Sequence, residues 1–327
     1  MQHRSTDKIY KYVTAVGAGN ALLFIFVLCT ILVIFSYPSM IVNGLHFFSS
    51  ITWNPHLSGE VTTVNGIKTI AGASYGMGVF AVGTLISSAL ALLLGVPIGL
   101  GIAIFLSHTA PKKVAAPISF LVEMMAGLPS VIYGFWGFIV LGPFLLNVVE
   151  PELAAHLSFI PFFSPPVYGF GILTSGIILA LMIVPIIASI SRDAMLRTPG
   201  ELKEGAKALG LTKWEITRNI VFTFARTSII GSIILGLGRA LGETMAVAMV
   251  AGGAVNYLPH TFFYSTNTIA AFMALSMDSA FTDPSGMFVS ALVELALVLL
   301  IITTTVNVIA RALVKQGFIS SETVMKI

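Results

Sequence analysis

The chain has 327 residues, 56% of them hydrophobic and only 9% charged, with a formal net charge of +3. A mean hydropathy of +0.96 leaves more apolar surface than a soluble core can bury, which excludes a water-soluble globular protein and points to a polytopic membrane protein. The single cysteine, Cys29, can form no internal disulfide, and the six histidines lack metal-ligand spacing, so the sequence suggests neither redox nor metal chemistry.

A helix needs about 20 predominantly apolar residues to cross a bilayer. Six stretches qualify, at residues 13–37, 78–106, 118–146, 169–190, 227–251 and 288–310. The sequence therefore predicts an all-α integral membrane fold with six transmembrane helices. Residues 1–12 form a short basic start. The stretch 13–37 is too long for a signal-peptide core and lacks a small-x-small cleavage site, so it reads as a retained anchor helix. Residues 38–77 form an outer loop. Residues 78–310 hold the other five spans and an inner loop at 191–226, and residues 311–327 form a tail.

Pro97, Pro129 and Pro185 fall inside predicted spans, which membrane helices tolerate when neighbours satisfy the freed carbonyl. Gly95-x-x-x-Gly99 and Gly238-x-x-x-Gly242 offer small faces for close helix approach. Fifteen of the 17 Lys and Arg residues fall on one side of these spans, against Lys68 on the other and Arg239 within the membrane. By the positive-inside rule both termini are expected in the cytoplasm. The outer connections are acidic, with Glu60, Glu150, Glu152, Asp278 and Asp283. In the last of them, Asn267 reads as the cap of a helix that either lies on the bundle or re-enters it.

The inner loop carries most of the soluble chemistry. Thr198-Pro199-Gly200-Glu201 reads as a helix start with Thr198 as N-cap, Pro199 at the first helical position and Glu201 completing a capping box. That helix is expected to stop at Gly210, and Thr212-Lys213-Trp214-Glu215 begins a second capped helix at once. Leu202, Leu209, Leu211 and Trp214 are the apolar groups this elbow offers to a partner's groove.

Arg239 and Glu243 stand one helical turn apart in the predicted fifth span. Each charge near the bilayer centre costs roughly 2.5–3.5 kcal/mol on insertion scales, so such residues pair with each other or line a solute path. Counting about 1.5 Å per residue places Arg239 roughly 18 Å from the inner end of that span. Its guanidinium stays charged in any environment, and its planar fork fits phosphate oxygens bidentately. The expectation is that Glu243 partly neutralises Arg239 at rest. Glu123, six residues into the predicted third span, and Glu294, early in the sixth, are secondary candidates for a path or gate. Arg192 and Asp193 read as boundary charges. No Walker A sequence is present, since Gly200-x-x-x-x-Gly205 is followed by Ala206-Lys207, so ATP binding is not expected of this chain.

The stretch Glu204-Gly205-Ala206-Lys207-Ala208-Leu209-Gly210, with Ile220-Val221-Phe222 after nine more residues, resembles the signature loop of ABC-importer permeases. That pattern is Glu-Ala-Ala, three residues, Gly, nine residues, then Ile-x-Leu-Pro. Glu204, Ala206, Gly210 and Ile220 match it, while Gly205, Phe222 and Thr223 depart. Segments 84–86, 95–103, 127–134 and 236–247, with Trp53-Asn54-Pro55, are similar to phosphate permeases of the PstC type. The resemblance is not carried by the tail after Gln316.

The resemblance implies a type I ABC importer permease fold in a bacterial inner membrane, importing inorganic phosphate. Arg239 and Glu243 would lie on the phosphate path, and the Glu204–Ile220 region would be the coupling helix that docks on an ATPase. It implies four kinds of company: a sister permease completing a heterodimer, two cytoplasmic ATPase subunits carrying ATP and Mg, an extracytoplasmic phosphate-binding protein, and membrane lipid. No nucleic acid is expected. The residues alone leave open a permease for another oxyanion such as sulfate. An ion-gradient-driven transporter has no use for the inner loop, and a membrane-embedded enzyme lacks a catalytic constellation.

Overall fold

The computed structural model describes the backbone of residues 2–324 and the side chains of residues 10–312. Six helices are long and apolar enough to cross a membrane: Tyr10–Asn43, Gly78–Thr109, Ser130–Leu157, Ile172–Leu196, Lys213–Leu241 and Met287–Ala312. They are called here the first to sixth spans. The all-α six-span architecture agrees with the hydropathy pattern, but the third and fifth spans are placed differently from the sequence reading.

The predicted third span, 118–146, is two helices. Lys112–Ala126 ends at Gly127, and a new helix begins at Ser130. Pro129 is not inside a span but immediately ahead of one. It has no N–H to donate and disfavours helical geometry at Leu128, which, following Gly127, favours a break at this point. Pro97 and Pro185 do lie inside their helices. The third span itself contains two π-helical turns, Gly137–Leu141 and Leu145–Val149. Glu150 is not a solvated acid of the outer loop. It is 1% exposed, and its carboxylate accepts hydrogen bonds from the backbone N–H groups of Tyr168 (3.0 Å) and Gly169 (2.9 Å), which ties the third span to the start of the fourth.

The second and fourth spans form the tightest pair of the bundle. A Cβ on Gly95 would meet Ile183 at 2.8 Å, and one on Gly99 would meet Ile187 at 3.0 Å. The Gly95-x-x-x-Gly99 face thus works as its spacing suggests. Gly238-x-x-x-Gly242 does not: nothing lies within 4 Å of a Cβ at Gly238, and Gly242 meets only the Gly238 carbonyl. The first span is peripheral, exposed along most of its length, and it packs against the sixth.

At the outer end, Trp53 is 3% exposed and makes edge contacts with Tyr75, Phe80 and Phe272 at centroid distances of 5.1, 5.4 and 5.0 Å. Burial, reinforced by the Asp283 carboxylate, pushes the Tyr75 hydroxyl well above its ordinary pKa and keeps it protonated. An antiparallel hairpin, β1 (Val61–Val64) and β2 (Ile67–Ile70), turns at Asn65-Gly66, both with positive φ. This is the Asn-Gly hairpin signal.

The outer helix Ile269–Ala280 packs against the second and sixth spans. Its cap is Thr268, whose hydroxyl accepts from the Ala271 N–H, not Asn267. Thr84 of the second span accepts from the Ile269 N–H at 3.0 Å, and Gly83 admits the Asn267 carbonyl where a Cβ would stand. Overpacking such a contact costs about 1–3 kcal/mol. Gly83→Ala is therefore expected to lower the Tm of the purified protein, whereas Gly101→Ala, with nothing within 4 Å of its Cβ, changes it little. Equal Tm values for the two variants would contradict the close approach.

Candidate functional site: a cationic cavity beside a broken span

The fifth span is not continuous through 227–251. Its helix begins at Lys213, passes through a π-helical turn at Thr217–Val221, and stops at Leu241. Gly242, Glu243 and Thr244 break it, and a short helix, Met245–Val250, follows. Arg239 is consequently in the last turn of the span, about 39 Å of helix from Lys213 at about 1.5 Å per residue, rather than midway along it. Glu243 is beyond the break and not on the same helical face.

The expected Arg239–Glu243 ion pair is absent among the described residues. The break separates the two charges. Glu243 Oε1 accepts a hydrogen bond from the Ala246 N–H at 3.3 Å, one of the free donors that start the short helix. Arg239 stands at a helix C-terminus, whose exposed carbonyls carry negative partial charge. Its Nε is buried without a hydrogen-bond partner, and among the described residues no carboxylate pairs with its guanidinium.

Arg239 lines an open cavity of about 700 Å³ between the fourth, fifth and sixth spans. Ile186, Gly238, Asn307 and Arg311 share its wall. Asn307 Oδ1 is also buried and unpartnered. Asn307 and Arg311 are one turn apart on the sixth span, so one wall of the cavity holds two guanidinium groups and an amide. The sequence reading counted Arg311 only as a tail charge and passed over Asn307. An Asn and an Arg four residues apart near the inner end of an apolar span were the available signal.

The remaining candidates lie elsewhere. Glu123 is not inside a span but in the last turns of the helix Lys112–Ala126, where it is exposed and pairs with Arg192 at 3.3 Å. Arg192 also reaches Asp193 at 3.4 Å, so these residues tie two inner elements together rather than marking a boundary. Glu294 is 1% exposed and accepts from the Ser39 hydroxyl of the first span, while Ser39 N–H donates to Ser290 Oγ at 3.1 Å. Neither acid lines the cavity.

The inner elbow spans residues 197–212, shorter than the predicted 191–226 because both flanking spans extend into it. Its helix, Gly200–Ala208, starts at Pro199 with no side-chain cap. Thr198 is instead spent on the end of the fourth span, where its N–H bonds to the Met195 carbonyl and its hydroxyl is buried. The helix ends as expected at Gly210 (φ +86°): Gly210 N–H bonds to Lys207 O and Leu211 N–H to Ala206 O, the paired bonds of a Schellman stop. The second capping box, Thr212 with Glu215, is complete. Of the signature residues, Glu204 and Gly205 are exposed, Ala206 is buried beneath the helix, Gly210 makes the turn, and Ile220 lies inside the fifth span's π-helical turn.

Six apolar spans, a broken fifth span beside a cation-lined cavity, and a compact inner elbow fit a membrane permease. The chain belongs to the family of binding-protein-dependent transport system inner membrane components, which it matches over residues 95–316. Within that family it belongs with the PstC phosphate transport permeases. It is 39% identical to the phosphate transport system permease protein PstC 1 of Mycobacterium tuberculosis, over 94% of this chain and 92% of that protein. The PstC proteins of Pasteurella multocida (38% identity, 97% and 94% coverage) and Mesorhizobium japonicum (40%, 94% and 89%) are similarly related. Among solved structures, a chain of the MetNI methionine ABC transporter in an inward-facing conformation superposes with a TM-score of 0.49 at 18% identity, covering 73% of this chain and 95% of that one. The chain is thus a multi-pass transport subunit and not an enzyme.

Glu294 has a checkable structural role. Interhelical polar contacts within membranes contribute about 0.6–1.7 kcal/mol. Glu294→Gln keeps an acceptor for Ser39 and should lose less stability than Glu294→Ala, with phosphate uptake retained in the Gln variant. Thermal unfolding that ranks the two variants equally would argue against the tie.

Proposed function

We propose that this chain is the membrane-spanning permease subunit of an ATP-driven importer for inorganic phosphate in a bacterial inner membrane. It forms half of the translocation pathway, with a sister permease forming the other half. Both termini lie in the cytoplasm, where the elbow at 197–212 couples the bundle to a pair of ATPase subunits. An extracytoplasmic phosphate-binding protein delivers substrate at the outer loops.

One observation carries the reading: a half-buried guanidinium with no carboxylate partner among the described residues lines an open cavity. An uncompensated charge in that setting is costly, and a passing oxyanion offsets it with charge-assisted, bidentate hydrogen bonds. Arg311 and Asn307 on the same wall supply further donors along the way. Because the broken helix already occupies Glu243, the oxyanion does not have to displace an acid from Arg239. The guanidinium fork fits sulfate as well as phosphate, and the relatedness to phosphate permeases favours phosphate.

The coupling role rests on the elbow's exposed apolar groups. Leu202 and Leu209, in the elbow, are 49% and 83% exposed, and Trp214, at the start of the fifth span, is 60% exposed. Such groups suit insertion into a partner's groove.

Losing a hydrogen bond to a charged group costs about 1.5–3 kcal/mol, so Arg239→Gln should lower phosphate uptake by about tenfold or more in vesicles holding the assembled transporter. Glu243→Gln, which keeps the acceptor toward Ala246, should retain most uptake. Excess sulfate should not compete. Wild-type uptake in Arg239→Gln would refute the path assignment. For the elbow, Leu209→Asp is expected to abolish co-purification of ATPase activity while the permease still inserts, read by pull-down from membranes.

A further inference from the structure

At the inner end of the bundle a second cavity, of about 440 Å³, opens between the end of the second span and the elbow. Lys203 and Lys207 from the elbow helix, Lys213 and Trp214 from the start of the fifth span, and Ile104 and His108 from the second span line it. Lys203 and Lys207 are one helical turn apart, a like-charge spacing that destabilises an isolated helix. Lys213 adds a third ammonium. Among the described residues none of the three forms an ion pair. His108 Nδ1 lies 2.7 Å from Ser107 Oγ, and its Nε2 is buried without a partner.

Trp214 belongs to this lining, whereas Leu202 and Leu209, the other apolar groups offered for docking, lie outside it. Three ammonium groups lining one concavity raise its positive potential, which an anion among them would offset. Lysine binds phosphate as a point charge, and an imidazole nitrogen can complete the set. The separate cavity at Arg239 lies between other helices, so the two sites share no residue.

We propose that the cavity lined by Lys203, Lys207, Lys213 and His108 binds a phosphoryl anion, which joins the elbow helix to the end of the second span. The same chemistry is offered by a free phosphate ion and by the headgroup of an anionic phospholipid. Either occupant would offset part of the lysines' charge and stiffen the elbow against the bundle. The assignment does not depend on the transport role of Arg239, because binding is read without transport.

Trp214 supplies the readout. The full-length protein, with the subunits that co-purify with it, is placed in phosphatidylcholine nanodiscs and titrated with sodium phosphate, with sodium chloride of equal ionic strength as control. A second preparation contains phosphatidylglycerol and no phosphate. Subtracting the emission of Trp214→Phe isolates the local signal. A saturable change with phosphate identifies the free ion, and a change only with phosphatidylglycerol identifies the headgroup. Lys203→Gln with Lys207→Gln should weaken the response by about tenfold or more, whereas the paired Arg substitutions should retain it. No change in either preparation, an equal change with chloride, or an undiminished response in the Gln variant would overturn the proposal. Uptake by Arg239→Gln is scored separately, so failure of one assignment leaves the other standing.

Discussion

The helix break at Gly242 decides what the charged pair can do. Had the helix run on through 251, Arg239 and Glu243 would stack one turn apart, and their mutual attraction in a low-dielectric setting would hold both. The chain instead leaves helical geometry three residues after Arg239, and the two charges part. The carboxylate turns to a free amide at the start of the next helix, and among the described residues no carboxylate meets the guanidinium, whose Nε is buried without a partner. An Arg with no carboxylate beside it still has its donor fork available. Irregular backbone at membrane depth is tolerated where it borders a cavity, and this break does so beside the open space over Gly238.

Around that break the bundle combines one stiff axis with looser surroundings. The fourth span is the most buried, and small residues let the second span approach it closely. It lines the cationic cavity through Ile186 and runs directly into the elbow at 197–212. A rigid helix connecting the elbow to the cationic cavity is the simplest mechanical link between the two, because packed side chains transmit displacement with little compression. The first span contributes little to this axis. It is exposed along most of its length, and its tie to the sixth span runs through the Ser39, Ser290 and Glu294 contacts.

The elbow shows how local rules and tertiary demands interact. Gly210 and the Thr212–Glu215 box behave as their sequence signals require, since each acts within a few residues through backbone geometry and one side-chain bond. Thr198 carries an equally good signal and does not cap: the helix starts after Pro199, and the Thr198 hydroxyl is buried with no partner among the described residues. The outer helix is capped by Thr268 rather than Asn267, beside the point where Thr84 of another span meets the chain.

The sequence by itself determined that this is a six-span membrane protein, which end of each span is basic, where the elbow turns, and which family it resembles. Those features follow from composition, periodicity and short-range motifs, all of which act along the chain. Tertiary structure alone decided that residues 118–146 are two helices, that the fifth span breaks after Arg239, that Glu294 meets Ser39 of the first span, and that Glu150 is tied to the backbone at Tyr168 and Gly169. It also brought Asn307 and Arg311 to the wall shared with Arg239. Hydropathy is nearly blind to such breaks and juxtapositions, because apolar residues on both sides of a break average to the same value as an unbroken helix. What a buried charge pairs with depends on which distant backbone group or side chain the packing brings within reach.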